Sequence, residues 1–430
     1  VVLTLLSPRE TLVLVNIDNI PYLQKPAQVT ESRDPAFEHV SHNSQVEIRN
    51  THAIAFYINH YLKDEEVFYV EFFNNDAVNN AVASDFISPT WMKRIQQGKT
   101  KIAFHNIHEG FHNISSGVLK FCIRHDIPTE HCIIISSNHD IKFYCERACA
   151  RLQVPMPRLL QCEVFEIQAG RLLNYFCSDE MLGSLEKFNN LTRNPGDVTH
   201  HYLNLNRRQR AHRPMLVGAL VAKDLHLKGK VSIGVSDFEE NLEEILNGIP
   251  GYWQECPDIR TLIMQTRQKY SDLVPMHLDT NDLVTNRALS KVSDCELYRT
   301  TMLSVVSETT FFSHHSLSNT RSWEPGVFLS EKTWKPIIHL QPWIMVSQPF
   351  TQEAIRAKGY HTWGDFIDES YDYEESDTHR MYMVLRLIEQ ICRWTPERML
   401  EFQRATYDMC LENQERLIEK TNTGDYLTEL

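Results

Sequence analysis

The chain has 430 residues, 42% hydrophobic and 23% charged, with a formal net charge of −13. That length predicts two or three domains with more than one apolar core, and the composition excludes a disordered or collagen-like chain. The acidic balance argues against a broad nucleic-acid surface, and no apolar run reaches the roughly 18 residues that span a bilayer.

The opening Val1-Val-Leu-Thr-Leu-Leu6 lacks a basic flank and is too short for a signal sequence, and the chain starts without methionine, as a trimmed start would. Ten cysteines are scattered without a CxxC pair, which predicts reduced packing thiols and a cytoplasmic setting. Residues 12–17 read as a buried strand stopping at Asp18, and the polar residues 24–50 as a long surface excursion. Helical spacing over 52–62 precedes strands at 66–73 and 101–105, a helix at 116–125, a strand at 132–136 and a helix at 141–152. Alternating strands and helices of this kind predict a parallel α/β sheet.

Residues 178–200 are polar, carry Asn194-Pro-Gly196 and show no periodic face, so they read as a domain boundary. A second series follows: strand 201–205, a basic turn, helix 213–226, strand 231–234 and helix 238–246. Strands at 301–306 and 343–346 then flank a helix start capped by Ser330, and 351–358 reads as a helix closed by Gly359. Residues 378–420 are helical throughout except for a break at Thr395-Pro396. The expected domains are therefore 1–190, 200–375, and a helical 376–430 that packs back on them.

Four stretches carry chemistry. Asn206-Arg-Arg-Gln-Arg-Ala-His-Arg213 lies between a strand and a helix, where backbone N–H groups already favour an anion; the plain alternative is a basic surface turn. Glu308 ends a predicted strand, the edge at which open α/β sheets bind ligands, and a carboxylate there suits a ribose or sugar hydroxyl. Ser330-Glu-Lys-Thr-Trp-Lys335 puts Lys332 and Lys335 on one helix face beside Glu331. His108-Glu-Gly-Phe-His112 matches the HExxH pattern of zinc peptidases, but Gly110 interrupts the helix that pattern needs. The same segment, with His105 and Asn106, sits at a strand end, where Glu109 is a candidate general base, with His108, Asp18 and Glu71 as competitors. The acidic runs Asp279–Asp282 and Asp368–Asp372 read as surface loops, and Trp323, Trp334 and Trp343 as core residues.

In order, the Asn206–Arg213 turn, Lys230-Val-Ser-Ile-Gly234, Val305-Val-Ser-Glu308, Leu329–Lys335 and Gln341–Val346 resemble the nucleotide-sugar domain of GT-B glycosyltransferases, most closely the α-fucosyltransferase type, over residues 200–370. The resemblance implies two Rossmann-like α/β domains facing a cleft, with Arg213 and Lys332 on the diphosphate and Glu308 and Glu331 on the ribose or the transferred sugar. Ser330 replaces the family's usual Thr, and Lys335-Pro336 stand where Arg and Asn are usual, so the resemblance does not specify fucose. The expected activity is inverting, metal-independent sugar transfer, with no cofactor beyond the nucleotide-sugar donor. Asn206, Arg207, Arg208, Arg213, Glu308, Glu331, Lys332 and Lys335 would bind that donor, and Glu109, His108 or Asp18 would serve the chemistry. Acceptors compatible with this reading are a glycan, a lipid-linked sugar, a protein or a modified DNA base. The alternatives are an HExxH zinc metallopeptidase and a non-catalytic nucleotide- or glycan-binding protein.

Overall fold

In the sheet carrying Lys101–Asn106 and Cys132–Ser136, successive side chains point to opposite faces, and both faces are apolar. Ile102, Phe104 and Ile134 enter one core with Val118 and Phe121, whereas Ala103, Ile133 and Ile135 enter another with Leu160. Burial on both sides is why these strands read as continuous apolar runs. The computed structural model describes residues 2–5, 13–16, 46–47, 67–72, 87, 89–106, 114–178, 182–206, 210, 212–234, 257–276, 278, 295–313, 326–423 and 427–430.

The described strands are β1 (Val2–Leu5), β2 (Val13–Asn16), β3 (Val46–Glu47), β4 (Val67–Phe72), β5 (Lys101–Asn106), β6 (Cys132–Ser136), β7 (Arg158–Cys162), β8 (His200–Asn206), β9 (Gly229–Ile233), β10 (Thr301–Ser307), β11 (Trp343–Val346) and β12 (Leu427–Glu429). The described helices begin with α1 (Pro89–Gln96), α2 (Ile114–Arg124), α3 (Ile141–Leu152), α4 (Val164–Phe176) and α5 (Leu185–Thr192). They continue with α6 (His212–Ala222), α7 (Pro257–Gln265), α8 (Arg267–Leu273), α9 (Cys295–Arg299) and α10 (Glu331–Ile338). The last are α11 (Thr351–Ala357), α12 (Asp377–Ile391), α13 (Pro396–Ala405) and α14 (Tyr407–Thr423). Among the described residues no helix is long and apolar enough to cross a membrane.

The chain divides into two compact units, one of Val1–Ile167, Leu317–Phe328 and Thr423–Leu430, the other of Gln168–Ser316 and Leu329–Asn422. The first holds a sheet ordered β12-β7-β6-β5-β4-β3, with β4 to β7 parallel and antiparallel strands at both edges. β1 and β2 form a separate antiparallel pair. The second unit holds the all-parallel sheet β11-β10-β8-β9. From β8 the chain moves outward to β9, then returns to place β10 on the other flank of β8. Their carboxyl ends therefore form a topological switch point, where open α/β sheets take ligands.

The helix at 141–152 and the strand at 343–346 follow the expected bounds, and Ser330, Gly359 (φ +84°) and Thr395-Pro396 act as the expected cap, stop and restart. The stretch 178–200 departs from expectation. Ser184 accepts a hydrogen bond from the Lys187 N–H and starts α5, which buries Phe188, Asn189 and Thr192. The helix 238–246, the helix 52–62 and the acidic run Asp279–Asp282 lie outside the described residues, as does Trp323. Trp334 and Trp343 are core residues.

Asp368–Asp372 is not a surface loop throughout. Asp372 is buried beneath the start of α11 and accepts the N–H groups of Gln352 (2.8 Å) and Glu353 (3.1 Å), which would otherwise be orphaned. Burial pushes its carboxyl up to about 6, against the pull of those two donors and of Arg356. Because the folded-state value lies above the unfolded one, the stabilisation is complete below about 3.8 and is lost as pH rises through about 6. Wild type should therefore gain about 1–1.5 kcal/mol relative to Asp372→Asn between about pH 7.5 and about pH 5. Parallel unfolding curves at the two pH values check this; a pH-independent gap between wild type and variant refutes it.

Candidate functional site

β10 is buried along its whole length and ends at the switch point. The next residue, Glu308, is fully buried, and its N–H extends the ladder to the Val346 carbonyl. Four donors reach its carboxylate. The Thr309 N–H (2.7 Å) and Ser330 Oγ (2.6 Å) donate to Oε2, and the Ser330 N–H (3.1 Å) and Thr333 Oγ1 (2.6 Å) donate to Oε1. A carboxylate offers about four lone-pair sites, so this one is filled by protein. Glu308 thereby ties the end of β10 to the first turn of α10, where a negative charge is favoured by the helix dipole.

The basic turn converges on the main chain of the same corner. Arg213 Nη2 donates to the Ser307 and Glu308 carbonyls at 3.2 and 3.1 Å, and Arg210 Nη1 donates to the Thr309 carbonyl at 3.2 Å. His212 Nε2 lies 2.9 Å from the Glu308 carbonyl; an acceptor there requires the tautomer protonated on Nε2. Burial, reinforced by Arg213, Arg210 and Lys332, holds the His212 pKa well below the usual imidazole range, so the ring is neutral. It stacks on Phe311 with ring centroids 5.5 Å apart.

Beneath the switch point Asn204 Nδ2 donates to the Val305 carbonyl (2.7 Å) and Ser307 Oγ (3.1 Å), joining β8 to β10. Asn206 Nδ2 donates to Asn204 Oδ1 (2.6 Å), while Asn206 Oδ1 is buried with no hydrogen-bond partner among the described residues.

Lys332 and Glu331 supply the solvent-reached part of the corner, with side chains 22% and 24% exposed. The Lys332 ammonium donates to Glu331 Oε1 (2.7 Å), Ser330 Oγ (3.0 Å) and Thr309 Oγ1 (3.3 Å). Enclosure by protein would raise the Glu331 carboxyl, but the adjoining Lys332 ammonium, with Lys335 behind it, brings it down to about 2. A fixed cation–anion pair thus stands at the carboxyl end of β10, beside the N-termini of α6 and α10.

Of the residues expected to bind donor, Asn206, Arg213, Glu308, Glu331 and Lys332 belong to this corner, and Lys335 follows one turn along α10. Arg207, Arg208, Asp18, His108 and Glu109 lie outside the described residues, and so does His112 of the HExxH match. For His105 and Asn106 only the backbone, in β5, is described. Sequence reasoning named Arg210 among the arginines of the basic turn but did not single out His212, Asn204, Thr309 or Thr333. The available signal was Asn204 beside Asn206, which share one strand face by their spacing of two. Compared with models of known protein families and with curated protein sequences, the chain matches none.

Proposed function

We propose that this chain is a glycosyltransferase that moves a sugar from a nucleotide-sugar to an acceptor hydroxyl, with the second unit taking the donor and the first presenting the acceptor in a GT-B-like arrangement. What carries the reading is the Lys332 ammonium, held by three oxygen acceptors at the switch point between β8 and β10. A diphosphate placed there meets Arg210, two helix N-termini and the charge of Lys332, one of whose three N–H groups turns from its protein acceptor to a phosphate oxygen; together these neutralise the departing charge without requiring a metal. Glu331, anionic and partly exposed, suits a hydroxyl of the ribose or the sugar.

Two expected roles shift. Glu308 has no lone pair left for a ligand, so it positions α10. Arg213 is 3% exposed and holds the turn, so among the described residues of the turn Arg210, half-buried, is the arginine offered to a phosphate. A single displacement at the anomeric carbon inverts its configuration.

Thermal-shift measurements against uridine, guanosine, cytidine, adenosine and thymidine diphosphates and their sugars test the donor site. One nucleotide series should stabilise the protein by about 2.7 kcal/mol at a hundredfold excess over Kd, with slow release of free sugar. No shift with any nucleotide refutes the site, and a shift without turnover leaves only a binding protein.

A further inference from the structure

The corner of the second unit that gathers cations also holds two uncharged acceptors. Asn204 and Asn206 stand on one face of β8, and their amides form a chain with a fixed direction. Asn204 Nδ2 donates to the Val305 carbonyl and Ser307 Oγ of β10, and Asn206 Nδ2 donates to Asn204 Oδ1 (2.6 Å) and to the Ser232 carbonyl of β9 (3.3 Å). Both partners of Asn206 Nδ2 are carbonyl oxygens, so turning this amide over would set oxygen against oxygen. The chain therefore ends in a lone carbonyl oxygen, Asn206 Oδ1, on the last residue of the strand. That oxygen is enclosed, and no described residue donates to it. An enclosed acceptor without a donor is rare in a folded protein and costs stability.

The second acceptor is on α6. His212, the first residue of that helix, donates from Nε2 to the Glu308 carbonyl, which Arg213 shares with the neighbouring Ser307 carbonyl. Phe311 lies parallel to the ring, and Phe312 meets it edge-on with centroids 6.0 Å apart, so the imidazole is held in one orientation. With its only proton on Nε2, the neutral ring offers a lone pair at Nδ1, and no described residue donates to it. Ser307, which receives the Asn204 amide on its hydroxyl and Arg213 on its carbonyl, joins the two acceptors in one hydrogen-bonded corner. Ionised phosphate groups carry acceptors alone, which suits Arg210 and Lys332 but fits neither Asn206 Oδ1 nor His212 Nδ1. Those two atoms need donors.

We infer that Asn206 and His212 are specificity-determining residues of the donor site, accepting hydrogen bonds from hydroxyl groups of the ligand, so that the second unit selects a polyhydroxylated ligand over a bare diphosphate. This rests on the sugar-transfer reading above. The hydroxyls belong to the ribose or to the transferred sugar, two sources with the same chemistry. The cover over Asn206 Oδ1 parts on binding, and because water does not reach that oxygen beforehand, the incoming hydroxyl makes a bond that no solvent contests. A ligand lacking the hydroxyl leaves the acceptor stranded, and a stranded buried polar group discriminates more strongly than an apolar contact does.

The test is calorimetric titration of the full chain with uridine, guanosine, cytidine and adenosine diphosphates, their hexose conjugates, forms of each lacking single ribose or hexose hydroxyls, and inorganic pyrophosphate. In wild type the tightest nucleotide-sugar should bind at least about 10-fold more tightly than pyrophosphate and lose about 10-fold or more when a hydroxyl that the site reads is removed. Whether the sensitive hydroxyl is on the ribose or the hexose identifies the source. Asn206→Ala, and His212→Gln with a donor kept for the Glu308 carbonyl, should each weaken the parent ligand about 10-fold yet bind one deoxy analogue as tightly as wild type does. The two variants lie on different elements, so one serves if the other fails to fold, and the wild-type series needs neither. Deoxy analogues that all bind as the parent does, or variants that lose as much affinity for every analogue as for the parent, overturn the inference and leave the donor site standing. A chain that binds no nucleotide of the panel overturns the donor-site reading and this inference together.

Discussion

Lys332→Ala is expected to lower nucleotide-sugar turnover by about 100- to 1,000-fold, the scale seen when a preorganised charge-stabilising donor is removed. The ammonium is positioned before any ligand arrives by Thr309, Ser330 and Glu331, and it gives up one of these bonds, the 3.3 Å contact with Thr309 being the longest, to a phosphate oxygen of the leaving group. The same variant should unfold within about 1 kcal/mol of wild type, because the pair it breaks is partly exposed and the hydrogen bonds to Glu308 stay intact. Steady-state kinetics and calorimetry on one preparation separate these effects. Without its cation, Glu331 should also titrate at a higher pH than its present value of about 2. Lys332→Arg keeps the charge but brings a planar fork to a place shaped for a compact ammonium, so it should recover only part of the rate. Wild-type turnover in Lys332→Ala would remove the site from consideration.

Much of the fold was legible because its signals are local. The run Cys132–Ser136 is apolar on both faces, and Ser330, Thr395-Pro396 and Gly359 punctuate helices by their own chemistry. Less was legible where the deciding partner is distant in sequence. Asp372 looks like a surface acid until α11, some 20 residues earlier, presents its orphaned N–H groups to it. His139 reads as a lone loop histidine, and only the register of β6 beside β7 brings Glu163 to it. The basic turn was visible as charge, but not which arginine faces inward. Helix α6 is buried almost all round, so no amphipathic pattern marks Arg213 as an inward residue, and Arg210 precedes the helix. The lysine of the Ser330–Lys335 stretch could be placed from its cap, whereas the role of Glu308 could not. Counting the donors around its carboxylate required Thr309, Ser330 and Thr333 in three dimensions.

Glu308→Ala provides the sharpest check on that reassigned role. A carboxylate used only to accept ligand hydroxyls is dispensable for folding, and its removal leaves the melting temperature unchanged. The carboxylate seen here accepts from two backbone N–H groups and two hydroxyls in a fully buried corner, and alanine would leave the donors on Thr309, Ser330 and Thr333 facing a void. Each unsatisfied buried donor costs about 1–3 kcal/mol, and partial rescue by water or rotation of the hydroxyls reduces the sum, so a loss of about 3–5 kcal/mol is expected. Glu308→Gln should lose less, because one oxygen remains an acceptor while the amide nitrogen opposes two donors. The order wild type, Gln, Ala in denaturant midpoint is the expected result, with turnover falling in the same order because Ser330 and the Lys332 it supports lose their anchor. An alanine variant that is fully stable yet inactive would return Glu308 to the ligand, and with it the expectation that the strand-end carboxylate reads a sugar hydroxyl.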